Sequence, residues 1–333
     1  MPFTESVSYK PFKYSWAVEA EKKQRIDMTW HEGQIELQDD IRQYNSKGGL
    51  TTKTKTHEEN KKIIDTSILL FTEMDKTVAS GYVEILPFTK NNEIKSLFIQ
   101  HAAKEVVHQR GYALLAETIG FTDADWSTFL SYKEMVDKID VMSKLDADLS
   151  TPLGYAAKLT QILLGEGIGL FAAFASLLNF KRFGLLMGFN DVNSWSLSDE
   201  TGHVENNIKV VQTIYETLSE SDKGKLQVIT KLLVGEYVKA EHAYIDLIGE
   251  CEDLSIEDFK SYIEYLGEER LFQLGYTGKM SVRQNPLEWM DWMLSGDKHD
   301  NFFEKRVVSY SHNKLQGAVD YSKYTHLLTE RLL

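Results

Sequence analysis

Apolar residues recur at intervals of three and four over long stretches of the chain, which is the period of an amphipathic α-helix and not the alternation of a half-buried strand. The clearest run begins at His57, where Ile63, Ile64, Ser67, Leu70, Phe71, Met74 and Val78 share one stripe. Asp75 lies on or beside that stripe, where an unpaired carboxylate would be costly. Pro87 closes the run. The same period predicts helices over 92–120, 133–147, 190–218, 224–251 and 256–274, and a shorter one around 17–25 before Trp30-His-Glu-Gly interrupts it.

Between Ile162 and Phe180 the pattern changes. This segment is hydrophobic on every face and carries Glu166 as its single charge, as expected of a helix at the centre of a bundle. Its Gly165, Gly167 and Gly169 do not have the spacing of a nucleotide-binding loop and follow no strand, so small residues permitting close helix approach are the better explanation. The run 46–56, rich in Gly, Thr and Lys, reads as an exposed loop or a short hairpin. Periodicity fades after Asn285-Pro-Leu-Glu-Trp-Met-Asp-Trp292, and 296–333 reads as a loop and tail holding Tyr310, Tyr321 and Tyr324.

Five prolines, none of them between Leu153 and Asn285, agree with a mostly α chain. A net charge of −13 and the absence of a basic stripe argue against a nucleic-acid binder. One cysteine, Cys251, excludes an internal disulfide framework and fits a reducing, cytoplasmic setting. The N-terminus has no export signal, and the longest apolar run, 167–180, is shorter than the roughly 20 residues of a bilayer span, so no membrane association is expected.

The candidate chemistry lies on two of these helices. Glu105, His108 and Tyr112 stand at i, i+3 and i+7, one stripe of a helix, and Glu200 with His203 repeats the Glu-x-x-His pair far along the chain. Either pair alone is more often a solvated acid beside a surface histidine. Two pairs, joined by Asp75 and by Glu166 in its apolar helix, make four carboxylates and two imidazoles, a set suited to two iron or manganese ions. Glu-x-x-His from two helices with a carboxylate from each of two others is the arrangement of dinuclear carboxylate bundles, with Asp75 here in place of one Glu. Without cations, four such carboxylates would repel one another. The expected fold is therefore all-α, a ferritin-like helical bundle with a dinuclear metal site in its core.

Three neighbours of the set have two readings each. Tyr112 is either a packing residue with a satisfied hydroxyl or a phenol placed to lose an electron and a proton to the metals. Asp199 is either a surface helix acid or the acceptor for the free ring nitrogen of a ligand histidine. Trp30 by default is a partly buried packing residue. His101 and Met142 read as structural.

Taken together, these motifs resemble the small, radical-generating subunit of class I ribonucleotide reductase. The resemblance spans about Tyr14 to Tyr310. It rests on Thr29-Trp30, Phe71-Thr-Glu-Met-Asp75, Glu105-Val-Val-His108 with Tyr112, Glu166, Asp199-Glu200-Thr-Gly-His203, the 285–292 run and Asn301-Phe-Phe-Glu-Lys-Arg. It implies that Asp75, Glu105 and His108 hold one metal, and Glu166, Glu200 and His203 the other. It implies two iron ions, with manganese or a mixed pair accepted by the same ligands. Tyr112 matches the tyrosine that stores the radical after dioxygen activation. His108, Asp199 and Trp30 match a relay toward a large (alpha) subunit, whose cysteines reduce ribonucleotides. The resemblance further implies a homodimer, a helical domain over 1–300 with an N-terminal arm, and a flexible docking tail over 301–333. In that tail Tyr321 and Tyr324 compete for the bridging role, and Tyr324 is favoured. The competing readings are a di-iron hydroxylase or ligand-binding oxidase, against which Asp75 argues, and an iron-storage bundle or metal-free scaffold, which gives no reason to bury Glu166.

Overall fold

Every long helix that the periodicity predicts is present in the computed structural model, which describes residues 5–6, 8–277, 284–291 and 293. α1 (Ser15–Lys22) runs into a π-helical turn at Lys23–Asp27, and α2 (Gln38–Asn45) follows. Then come α3 (His57–Ile85), α4 (Asn92–Thr118), α5 (Asp123–Phe129), α6 (Lys133–Ser143) and α7 (Pro152–Gly167). The order continues with α8 (Phe171–Lys181), α9 (Met187–Tyr215), α10 (Glu220–Ile248) and α11 (Ile256–Gln273). Among the described residues the β structure is a single isolated bridge, Cys251 with Leu254.

The long helices start where their sequences can satisfy the free amides of a first turn. Thr56 and Glu59 form a reciprocal capping box on α3, Asn91 accepts from the Ile94 amide on α4, and Thr151 accepts from the Gly154 amide on α7. α3 lies along α4 and α7 along α9, while contacts of α3 with α7 and of α4 with α9 close a four-helix core. α10 packs outside it against α6, α7 and α11.

α9 has no capping side chain of its own, and Leu186 before it is left-handed, with φ 54°. Its first turn is capped from α2, a helix the apolar pattern does not predict because its buried residues are Asp40 and Tyr44. Asp40 Oδ2 accepts from the Phe189 amide at 2.7 Å, and Gln43 Oε1 accepts from the Leu186 amide at 2.8 Å. The approach is so close that a Cβ on Gly188 would stand 2.2 Å from the Glu36 carbonyl oxygen. α5 was likewise not predicted, and α6 ends at Ser143, short of the expected 147.

The apolar segment is not one helix. It breaks after Gly167 and resumes at Phe171, and side chains from the outer helices satisfy both ends of the break. Glu241 of α10 accepts from the Ala172 amide at 2.9 Å, and Arg270 of α11 donates to the Gly167 carbonyl at 3.2 Å. Glu241 also pairs with Lys138 of α6, both fully buried. A Cβ on Gly167 would sit 2.8 Å from Arg270 Nε, and one on Gly169 3.1 Å from the Tyr237 ring, so close approach is what these glycines permit. The stretch 152–181 is long and apolar enough to cross a bilayer, yet all of it but its ends, Pro152, Leu153 and Lys181, is buried inside the protein.

The 46–56 run is a loop, and it is anchored. Thr52 Oγ1, Thr54 Oγ1 and the Thr54 amide all donate to Glu252, each at 2.7 Å. Tyr310, Tyr321, Tyr324 and the whole 301–333 tail lie outside the described residues.

Candidate metal centre

The four core helices each contribute to one point. Asp75 comes from α3, Glu105 and His108 from α4, Glu166 from α7, Glu200 and His203 from α9, and all six are buried to 1 % exposure or less. They form two overlapping groups in which every ligand atom lies within 4.8 Å of the others, Asp75, Glu105, His108 and Glu200 in one and Glu105, Glu166, Glu200 and His203 in the other. Glu105 and Glu200 belong to both, a sharing that two separate triplets do not anticipate.

The imidazoles turn Nδ1 inward. His108 Nδ1 is 3.0 Å from Glu200 Oε1 and 3.4 Å from Glu105 Oε2, and His203 Nδ1 is 3.1 Å from Glu105 Oε1, 3.1 Å from Glu166 Oε1 and 3.3 Å from Glu200 Oε2. Burial opposes charging either ring, but nearby carboxylates outweigh it: Glu105, Asp199 and Glu200 hold the His108 pKa well above the ordinary value, and Glu200, Glu105 and Glu166 do so for His203. Burial pushes Glu166 up to about 8, against the pull of His203, and raises Asp75 far above the carboxylate range with Glu105 adding to it. Glu200 is drawn down to about 2, because His203 and His108 overcome its burial.

Protons on the imidazoles thus stand in for positive charge that the four carboxylates require. They do so incompletely. Asp75 Oδ2, both oxygens of Glu105 and both of Glu200 are buried with no hydrogen-bond donor. Orphaned carboxylate oxygens facing two ring nitrogens, all out of water, are what a pair of divalent or trivalent ions would satisfy, and the donor set is that of iron or manganese.

Asp199, one residue before Glu200, is fully buried and not a surface acid. Its Oδ2 accepts from Trp30 Nε1 at 2.9 Å and lies 3.2 Å from His108 Nε2. With Nε2 donating, the neutral His108 tautomer leaves a lone pair on Nδ1, the atom that faces the carboxylates. Trp30 stacks on the His108 ring at 5.7 Å, and Gly111 makes room for its indole, since a Cβ there would be 3.2 Å from it. Lys104 Nζ stands 3.4 Å from the same Asp199 oxygen and donates to the Met28 carbonyl.

Tyr112 is fully buried, stacked on Phe71 at 4.2 Å, and its hydroxyl donates to Asn193 Oδ1 at 3.1 Å. Burial first, then the charge of Asp75, keeps its pKa far above that of a free phenol.

The sequence reading missed four residues here. Tyr82 donates to Glu166 at 2.7 Å, Asn207 donates to both Tyr82 and Glu166, His101 meets Tyr82 at 3.1 Å, and Lys104 faces Asp199. The signal was available for three of them: Tyr82 is seven residues after Asp75, Asn207 four after His203 and His101 four before Glu105, each on the stripe of a ligand.

Comparison with known proteins agrees with this geometry. Residues 6–286 match the family model described as ribonucleotide reductase, small chain. A probable ribonucleoside-diphosphate reductase small subunit of Invertebrate iridescent virus 3 is 29 % identical over 93 % of this chain and 85 % of its own. The ribonucleoside-diphosphate reductase subunit beta of Chlamydia pneumoniae is 24 % identical over 90 % of this chain and 88 % of its own. In fold, a putative class I ribonucleotide reductase from Bacillus halodurans superposes with a TM-score of 0.72 at 17 % identity, covering 84 % of this chain and all of that one. The dimanganese(II)-NrdF of Streptococcus sanguinis gives 0.68 at 14 % identity, covering 84 % and 95 %. The chain belongs to the small-chain family of ribonucleotide reductase.

Proposed function

We propose that this chain is the radical-generating small subunit of a ribonucleoside-diphosphate reductase and that Tyr112 carries the radical. The observation that carries the reading is the convergence of six buried ligands beside a buried, oriented phenol. Asp75, Glu105, His108, Glu166, Glu200 and His203 would hold two metal ions, with iron the expected pair and manganese accepted by the same donors. When bound and exposed to an oxidant, such a pair supplies the one-electron oxidation of a nearby tyrosine. Everything else falls to the chain. Asn193 Oδ1 holds the Tyr112 hydroxyl proton in one direction until the electron is withdrawn, and Phe71, stacked on the ring and itself backed by Phe174, keeps water out.

Trp30, Asp199 and His108 form a continuous hydrogen-bonded path from the ligand shell to the edge of the bundle. Its role is to pass the oxidising equivalent to a large catalytic subunit, with the 301–333 tail docking that partner and Tyr324 or Tyr321 bridging to it. Cys251, buried and with its thiol pushed up to about 12 by that burial, is unsuited to the reduction itself, which fits chemistry residing in the partner. The names of the curated relatives favour diphosphate substrates. A cytoplasmic homodimer without nucleic-acid or membrane partners completes the reading, supported by the acidic charge and by an exposed apolar stripe on α3 and α4. The family match gives no support to the hydroxylase or oxidase alternative.

The test is paramagnetic resonance. Protein loaded with ferrous iron and given oxygen, or with manganese and a stronger oxidant, is expected to give a tyrosyl radical signal, and Tyr112→Phe to abolish it while two metals per chain remain by elemental analysis. A signal unchanged in Tyr112→Phe removes the assignment.

A further inference from the structure

The two halves of the centre are not equivalent in what surrounds them. Glu105 and Glu200, which belong to both halves, have no donor on any oxygen, and neither has Oδ2 of Asp75, the carboxylate found in the first half alone. On the other half, Glu166 is fully engaged. Tyr82 Oη is 2.7 Å from Glu166 Oε1 and 2.9 Å from Oε2, and Asn207 Nδ2 is 2.9 Å from Oε2 and 2.6 Å from Tyr82 Oη. His101 Nδ1 reaches the same phenol oxygen at 3.1 Å, and its ring stacks 4.2 Å from that of His203.

The hydrogens can be counted. A phenol has one proton, and the Glu166 oxygens are the acceptors it reaches at 2.7 and 2.9 Å, so Tyr82 donates to Glu166. One Asn207 hydrogen goes to Glu166 Oε2 and the other to the Tyr82 oxygen. The second lone pair of that oxygen then takes the Nδ1 hydrogen of His101, which fixes His101 as the neutral Nδ1–H tautomer. All four side chains are fully buried, so no water competes for these positions. A packing role for Tyr82 would require only that its hydroxyl find one partner. Here it joins three other side chains, Asn207, His101 and the Glu166 carboxylate.

We propose that Tyr82, braced by Asn207 and His101, is a positioning residue that fixes Glu166 for the metal on the His203 half of the centre. Tyr82 bonds both carboxylate oxygens and Asn207 bonds Oε2, which holds the carboxylate in one orientation with Oε1 3.1 Å from His203 Nδ1. Groups of this kind around a metal ligand alter affinity by about 10–100-fold when removed. The inference rests on the dimetal reading and predicts something that reading does not: two sites of unequal sensitivity.

The experiment is equilibrium manganese(II) binding to the full chain, followed by the loss of the free-ion resonance and by calorimetry. Wild type is expected to bind two ions per chain. Tyr82→Phe is expected to keep one site at wild-type affinity and to weaken the other about tenfold or more. Asn207→Leu, which spares the phenol and removes its brace, is expected to weaken the same site. Circular dichroism and the unfolding midpoint of the metal-free proteins separate this from a general loss of fold. Should Tyr82→Phe fail to fold, Asn207→Leu decides alone. Two sites at wild-type affinity in a folded variant overturn the proposal for Tyr82. Absence of metal binding by wild type overturns the dimetal reading instead.

Discussion

Single atoms decide the behaviour of the proposed relay. Asp199 Oδ2 serves Trp30, His108 and the Lys104 ammonium at once, so each depends on the other two for the position of one oxygen. Replacing Trp30 by Phe keeps the stack on His108 but deletes the indole hydrogen at the outer end of the path. Trp30→Phe is therefore expected to retain two metals per chain and a Tyr112 radical, and to lose turnover with the large subunit by about a hundredfold or more. Full turnover in that variant would remove Trp30 from the path. Most of the candidate cluster was legible residue by residue, because Glu105 with His108 and Glu200 with His203 repeat one spacing, and Glu166 stands alone in an apolar run. Tyr82, His101 and Asn207 were not read as part of it. They carry no formal charge in the reading of a sequence, and on a ligand stripe a neutral side chain is indistinguishable from packing until its partner on another helix is known.

The elements show a different limit. Helices with one wet face announce themselves by phase, and α3, α4, α9, α10 and α11 were found to within a few residues. A segment apolar on every face has no phase, so the break between α7 and α8 left no trace in the pattern. α2 was missed for the opposite reason: what it buries is polar. Asp40, on that helix, accepts from the first amides of α9, yet its desolvation wins and raises its pKa to about 6. A folded-state pKa above the ordinary 3.8 means stability that is complete below about pH 4 and lost as pH rises through 6. Asn at this position accepts the same amide without ionising. Asp40→Asn is thus expected to gain on wild type between pH 4 and 7, by on the order of 1 kcal/mol once solvent screening is allowed for, in urea unfolding of the metal-free protein. A constant difference across that range would show that Asp40 does not titrate there.

For the molecule as a whole, the outer surface carries information that the core does not. Val83 of α3 is 58 % exposed and Ile99 of α4 52 %, and Val106, one residue after Glu105, is also exposed beside a shallow cleft that it shares with Val83. Apolar side chains presented on two adjacent long helices suit a second copy of the chain, and the homodimer of the proposed function is placed on this face. Val83→Glu combined with Ile99→Glu is expected to halve the mass measured by light scattering while helix content stays the same. A dimer that survives both charges would locate the contact elsewhere.

The buried apolar stretch within 152–181 has an implication for synthesis. It leaves the ribosome before α9 and α10, two of the helices that cover it, have been made. Until translation reaches about residue 248, a stretch as oily as a lipid-spanning segment has only the earlier helices, chiefly α3, to pack against. Growth of this chain therefore includes an interval in which a stretch that the finished protein buries stands partly uncovered, the condition under which aggregation is most readily seeded.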